Sequence, residues 1–236
     1  MIYHLFELLK DFDIPGQGLF QYLSFRAIAA FSTALLFSIF AGRKIIAAIR
    51  KKQIGEEIRD LGLEGQLQKK GTPTMGGIII FLAIVIPVIL FADLRNIYTI
   101  LLLITALWFF IIGFADDYIK VFKKNKEGMS AKAKLAAQTM LGLAIGLAVC
   151  FSDDIVVREN IEVESSVENT QGNNWEKQDV IKSTKTTIPF VKNHEFDYKW
   201  LSPFDGALGW YMKWGIYVIM IILVIVACSN GVNLTD

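Results

Sequence analysis

Two adjacent carboxylates, Asp116 and Asp117, stand immediately after the apolar run Phe109–Ala115. Carboxylates at the edge of such a run are costly unless they are solvated, paired with cations or bound to a metal. Neighbouring positions on a helix point about 100° apart, so the two need not meet the same ligand. One can bind Mg²⁺ while the other meets a substrate or a lysine, and Mg²⁺ is well served by one or two carboxylates completed by phosphate and water. The plainer alternative is an interfacial helix end whose charges are offset by Lys120, Lys123 and Lys124.

A second group is the loop Lys69-Lys70-Gly71-Thr72-Pro73-Thr74-Met75-Gly76-Gly77. Its ammonium and hydroxyl groups suit phosphate oxygens. Gly76 and Gly77 allow a ligand or a neighbouring helix to approach the backbone closely. The spacing is not that of a Walker-type loop, because the lysines precede the glycines. Read alone, the segment is equally a basic turn flanking a membrane span. A third group is Asn230, Asn233 and Asp236, whose i, i+3, i+6 spacing puts them roughly on one helical face. Amide side chains both donate and accept, which suits a nucleobase, ribose or diphosphate; a polar helix end is the bland alternative. Taken together, cations, paired carboxylates and amides fit an anionic diphosphate substrate with a divalent metal.

These groups must be held by membrane-spanning helices. Of 236 residues, 53% are hydrophobic, mean hydropathy is +0.44, and the apolar residues fall in long runs. Five stretches suit spans of about 20 residues: Tyr22–Gly42, Gly76–Ala92, Ile97–Ala115, Leu135–Phe151 and Trp210–Ser229. The expected fold is an all-α integral membrane protein of about five transmembrane helices. Basic residues crowd the segment between spans one and two (Arg43, Lys44, Arg50, Lys51, Lys52, Arg59, Lys69, Lys70) and that between spans three and four (Lys120, Lys123, Lys124, Lys126, Lys132, Lys134). The positive-inside rule puts both in the cytoplasm. The N-terminus and the polar stretch 152–209 then lie outside, and Asn230–Asp236 returns to the cytoplasmic side, so all three polar groups fall on one face. The net charge of +1 suggests no nucleic-acid partner. The two cysteines, Cys150 and Cys228, sit inside apolar runs and make neither a disulfide framework nor a metal site.

The strings Gly71-Thr72-Pro73-Thr74-Met75-Gly76-Gly77, Ala115-Asp116-Asp117-Tyr118 and Asn230-x-x-Asn233-x-x-Asp236 resemble those of the phospho-N-acetylmuramoyl-pentapeptide transferase family, within the polyprenyl-phosphate N-acetylhexosamine-1-phosphate transferase superfamily. The resemblance implies attack of undecaprenyl phosphate on the sugar-side phosphate of UDP-N-acetylmuramoyl-pentapeptide, giving lipid I and UMP. It implies Mg²⁺ as cofactor, a bacterial inner (cytoplasmic) membrane, and the first membrane step of peptidoglycan synthesis; it allows a homodimer. Carried over by position, Asp116 and Asp117 are the catalytic candidates. One orients or deprotonates the lipid phosphate and the other lies near the metal, with Asp117 the candidate ligand. Lys69, Thr74, Asn230, Asn233 and Asp236 are candidates for substrate binding, with Lys120 and Lys132 as weaker candidates for phosphate contact.

The resemblance also implies what is not here. The family continues beyond the position of Asp236 through further spans and another metal-binding aspartate. The chain is therefore expected to be the N-terminal half of a polytopic transferase domain and inactive alone. Residues 152–209 read as an extracytoplasmic insertion, with a short hairpin expected within Asp179–Val191. Two alternatives remain: a related transferase using UDP-GlcNAc, against which the Gly-Thr-Pro-Thr-Met-Gly-Gly string argues, and a transporter or scaffold. Transporter charges tend to lie at the bilayer midplane, whereas these polar groups lie at helix ends.

Overall fold

A computed structural model describes residues 16–52, 75–125, 127–160, 178–188, 195–204 and 206–235, together with Ile2, Leu5 and Phe6; for 52, 157–160, 178–181 and 233–235 it describes the backbone alone. Its main elements are the helices α1 (Leu23–Lys52), α2 (Gly77–Phe91), α3 (Ile97–Phe122), α4 (Ala131–Phe151) and α5 (Gly206–Thr235). Four of them are long and apolar enough to cross a membrane, and α2 is a shorter apolar helix. All five expected spans are thus helices, as an all-α membrane protein requires. Many large apolar side chains look outward, among them Phe31, Leu102 and Val224. That is the arrangement expected of helices whose surroundings are not water. Two hydroxyls in the spans are satisfied within their own helix: Thr33 and Thr105 donate to the carbonyls of Ala29 and Leu101 at 2.8 and 2.7 Å.

The chain forms two compact units, residues 1–137 and 138–236, divided within α4. In the first, α1 packs on α2 and α2 on α3. The start of α1 lies beside the end of α2, where an Arg26 Nη donates to the Phe91 carbonyl at 3.5 Å. The rings of Phe81 and Phe110 stack between α2 and α3 at 4.1 Å. Pro87 sits buried inside α2; Pro has no N–H to leave unpaired, so an apolar helix tolerates it at the cost of one ladder bond. The turn between α2 and α3 is closed by Asn96, which caps α3 by accepting from the Tyr98 amide at 2.9 Å. This up-and-down order brings the end of α1, the start of α2, the end of α3 and the start of α4 to one end of the unit.

In the second unit, α4 and α5 approach closely. A Cβ on Gly142 would lie 2.9 Å from Ile222 Cα, and one on Gly146 would lie 2.8 Å from Val218 Cγ1. Small residues four apart permit such contact between membrane helices. Among the described residues after α4 are the short strands β1 (Val157–Asn160), β2 (Gln178–Ile181), β3 (Lys185–Thr187) and β4 (Glu195–Asp197). β1 pairs antiparallel with β2, and β3 with β4. Among the described residues the hairpin expected within Asp179–Val191 is not present, since β2 and β3 each find another partner; 189–191 lie outside them. The link between them, Lys182-Ser183-Thr184, holds no glycine or asparagine to take the positive φ that tight hairpin turns favour. Tyr198–Leu201 adds a 3₁₀ turn against the start of α5.

Candidate active site

Helix α3 does not stop where its apolar run ends. It continues through Asp116 and Asp117 to Phe122, so both carboxylates sit within its last two turns. The polar extension is supported by an i, i+4 pair, Asp116 Oδ2 to Lys120 Nζ at 2.8 Å.

The two aspartates meet different surroundings. Asp116 is 8% exposed and fully engaged. Besides Lys120, it pairs through Oδ1 with Lys134 Nζ at 2.9 Å and accepts from the Met129 amide at 2.7 Å. Such charge-assisted bonds to a part-buried carboxylate are the stronger kind. Asp117 is half-buried and makes one hydrogen bond: Oδ2 accepts from the Met75 amide at 3.1 Å. Its Oδ1 has no partner among the described residues. Met75 is itself buried and holds φ at +70°, a left-handed conformation rare outside glycine. The Asp117 carboxylate fixes this turn at the entrance to α2, joining the glycine-rich loop to the aspartate pair.

A cavity of about 270 Å³ opens between α2 and α3, lined by Met75, Gly77, Phe81, Phe110 and Phe114, with Asp117 among its walls. It is almost entirely apolar apart from that carboxylate. Lys132 lies exposed on the first turn of α4, about 200° around the helix from Lys134, and takes no part in the Asp116 cluster. Lys69 and Thr74 lie outside the described residues.

In the second unit, Asn230 pairs with Gln138, which is 5% exposed. Asn230 Nδ2 donates to Gln138 Oε1 at 2.9 Å and to the Val226 carbonyl at 2.9 Å. Gln138 Nε2 donates to Ser229 Oγ at 3.0 Å. Asn233 lies one turn further along α5, where only the backbone is described, and Asp236 lies outside the described residues. Lys134 and Gln138 were not singled out from the sequence. Lys134 had one signal, its place four residues after Ser130, the side chain that accepts from the Ala133 amide and opens α4. Gln138 had another, an amide inside an otherwise apolar run.

The donor set at Asp117 fits a hard divalent cation. It offers one carboxylate oxygen with no partner among the described residues, beside the cluster of Asp116 with Lys120 and Lys134, and Mg²⁺ takes few protein ligands, completing its shell with phosphate and water. Among the described residues no third carboxylate, histidine or cysteine joins the pair.

Residues 69–81 match the family signature described as phospho-N-acetylmuramoyl-pentapeptide-transferase signature 1. Along its whole length the chain is also similar to curated proteins of that name. It is 50% identical over 238 positions to the one from Parabacteroides distasonis, 48% over 238 to one from Porphyromonas gingivalis, and 48% over 239 to that of Flavobacterium psychrophilum. Each comparison takes in 100% of this chain and 56 to 58% of the relative, so the chain spans about half the length of the curated relatives it matches. The resemblance carried by the loop and the aspartate pair thus extends over the entire chain, the polar stretch 152–209 included.

Proposed function

We propose that this chain supplies part of a membrane transferase that moves phospho-N-acetylmuramoyl-pentapeptide from UDP to undecaprenyl phosphate, releasing UMP and forming lipid I. The observation that carries the reading is the bond from the Met75 amide to Asp117. It ties the signature loop to the aspartate pair and leaves one Asp117 oxygen without a partner among the described residues. Asp117 would hold Mg²⁺, which when bound neutralises charge on the transferring diphosphate. Lys120 and Lys134 add positive charge where phosphate oxygens would gather. The carboxylate lies next to an apolar cavity, as suits a site that joins a lipid to a water-soluble nucleotide. Lys69, Thr74, Asn230, Asn233 and Asp236 are the residues we propose for substrate binding, with Lys120 and Lys132 as weaker candidates for phosphate contact.

The two basic segments that flank this end of the first unit support a site on the cytoplasmic face of the bacterial inner membrane. By the same rule the stretch 152–209 would be extracytoplasmic. The reaction is the first membrane step of peptidoglycan synthesis, and through it serves cell-wall biogenesis, cell shape and division. A related enzyme using UDP-GlcNAc is the second reading, and the match over residues 69–81 favours the muramoyl substrate. The test is Mg²⁺-dependent lipid I formation by this segment within a complete transferase. Wild type should turn over UDP-N-acetylmuramoyl-pentapeptide, and Asp117→Asn should lose at least about a hundredfold in kcat. Turnover of UDP-GlcNAc instead would reassign the substrate, and full activity of Asp117→Asn would remove Asp117 from the chemistry.

A further inference from the structure

The connection between α3 and α4 is specified more tightly than a linking turn needs. Lys124 and Gly128 both hold positive φ, at 53° and 70°. The Asn125 side chain accepts from the Glu127 amide at 3.1 Å, and the Gly128 amide donates to the Asn125 carbonyl at 3.1 Å. The chain then passes so close to Asp116 that a Cβ on Gly128 would collide with its Oδ1 and lie 2.8 Å from Cε of Lys120. One residue later the Met129 amide donates to that same Oδ1. At the first turns of α4, Lys134 folds back onto it as well.

We infer that Asp116, Gly128 and the Met129 amide form a latch that fixes where the Lys134 ammonium sits, so that Asp116 is a positioning residue and Lys134 the cation it delivers beside Asp117. The inference rests on the transferase reading for what that cation does, though the latch itself is a matter of geometry. Both oxygens of Asp116 are taken, and Oδ1 already accepts two bonds. A carboxylate so engaged has little capacity left for a metal or a substrate proton. Asp116 compensates only one of the two lysines, so the cluster keeps one net positive charge beside Asp117. A cation fixed in advance acts mainly where negative charge develops, and therefore on kcat rather than on ground-state binding.

Two variants made in the complete transferase test this. Alanine at Gly128 disfavours the positive φ and fills the space; asparagine tolerates the φ but still fills the space. Both Gly128→Ala and Gly128→Asn should speed hydrogen exchange at the Met129 amide by roughly ten- to a hundredfold, the loss of one charge-assisted bond. Per folded molecule, both should lower kcat about tenfold or more while KM for the nucleotide stays within about threefold. Unchanged Met129 exchange would overturn the latch, and so would restoration of slow exchange and full turnover by asparagine, which would leave only a backbone preference. Faster exchange with unchanged kcat would overturn the positioning role. If the wild-type transferase makes no lipid I, the substrate assignment fails while the exchange measurement still decides on the latch.

Discussion

Removing each aspartate in turn should separate a carboxylate that holds structure from one left open for chemistry. Asp116→Ala takes away two ion pairs and one amide bond from a buried position. The Lys120 pair is 35% exposed on the lysine side, and solvent screening leaves it about 0.5 kcal/mol. The Lys134 pair is 25% exposed on that side, and the Met129 amide is bonded at 2.7 Å; each is worth about 1.5 kcal/mol as a charge-assisted bond. The loss comes to about 3.5 kcal/mol, roughly a 400-fold shift in the unfolding equilibrium. Asp117→Ala removes one amide bond at 3.1 Å, about 1 kcal/mol. The assay is unfolding of the chain in bicelles by sodium dodecyl sulfate, followed by tryptophan fluorescence and helical circular dichroism. Asp116→Asn keeps an acceptor for Met129 and should fall between wild type and Asp116→Ala. If Asp117→Ala costs as much as Asp116→Ala, the partners assigned to Asp116 are not in place and the division of roles collapses.

Two further outcomes test the second unit. Alanine at Gly142 would press its Cβ on the Ile222 backbone, whereas at Gly146 it would press on a Val218 methyl; overpacking of this kind costs about 1–3 kcal/mol, with Gly142→Ala the worse in the same unfolding titration because backbone cannot step aside. Gln138→Leu takes from the Asn230 amide one of its two acceptors and should cost about 1–2 kcal/mol. Adding Asn230→Leu should recover part of that loss, and strict additivity in the double-mutant cycle would show that the pair does not interact.

The spans were legible because hydropathy is a local, additive signal, and each apolar run became a helix. The ends of those helices were less legible. The apolar run bounds the third span at Ala115 and puts Asp116 and Asp117 at a helix end, whereas the helix runs on to Phe122. What carries α3 onward is the Asp116–Lys120 pair, one turn apart, and that spacing was present in the sequence. The hairpins were less readable still. Strand pairing depends on which partner arrives, and β2 finds β1 across a long intervening stretch rather than its neighbour β3.

For the site, the sequence could point to residue types but not to their division of labour. Asp116 and Asp117 are chemically identical neighbours, and nothing local says which will be saturated. The distinction comes from two backbone amides. Met129 reaches Asp116 because Gly128 lets the chain pass without a Cβ, and Met75 reaches Asp117 because a left-handed turn aims its N–H at α3. Lys134 was passed over for Lys132 for the same reason. Two lysines two residues apart look alike in sequence, yet they project to nearly opposite sides of α4, and only one faces the carboxylate. The Gln138–Asn230 pair joins positions 92 apart in sequence; its one advance sign was an amide where the span otherwise wanted apolar side chains. In each case the residues doing the positioning are glycines, backbone amides and a buried glutamine. Their chemistry is unremarkable until the fold brings them beside a charge, and a search by reactive residue type therefore reads the charges first and their supports last.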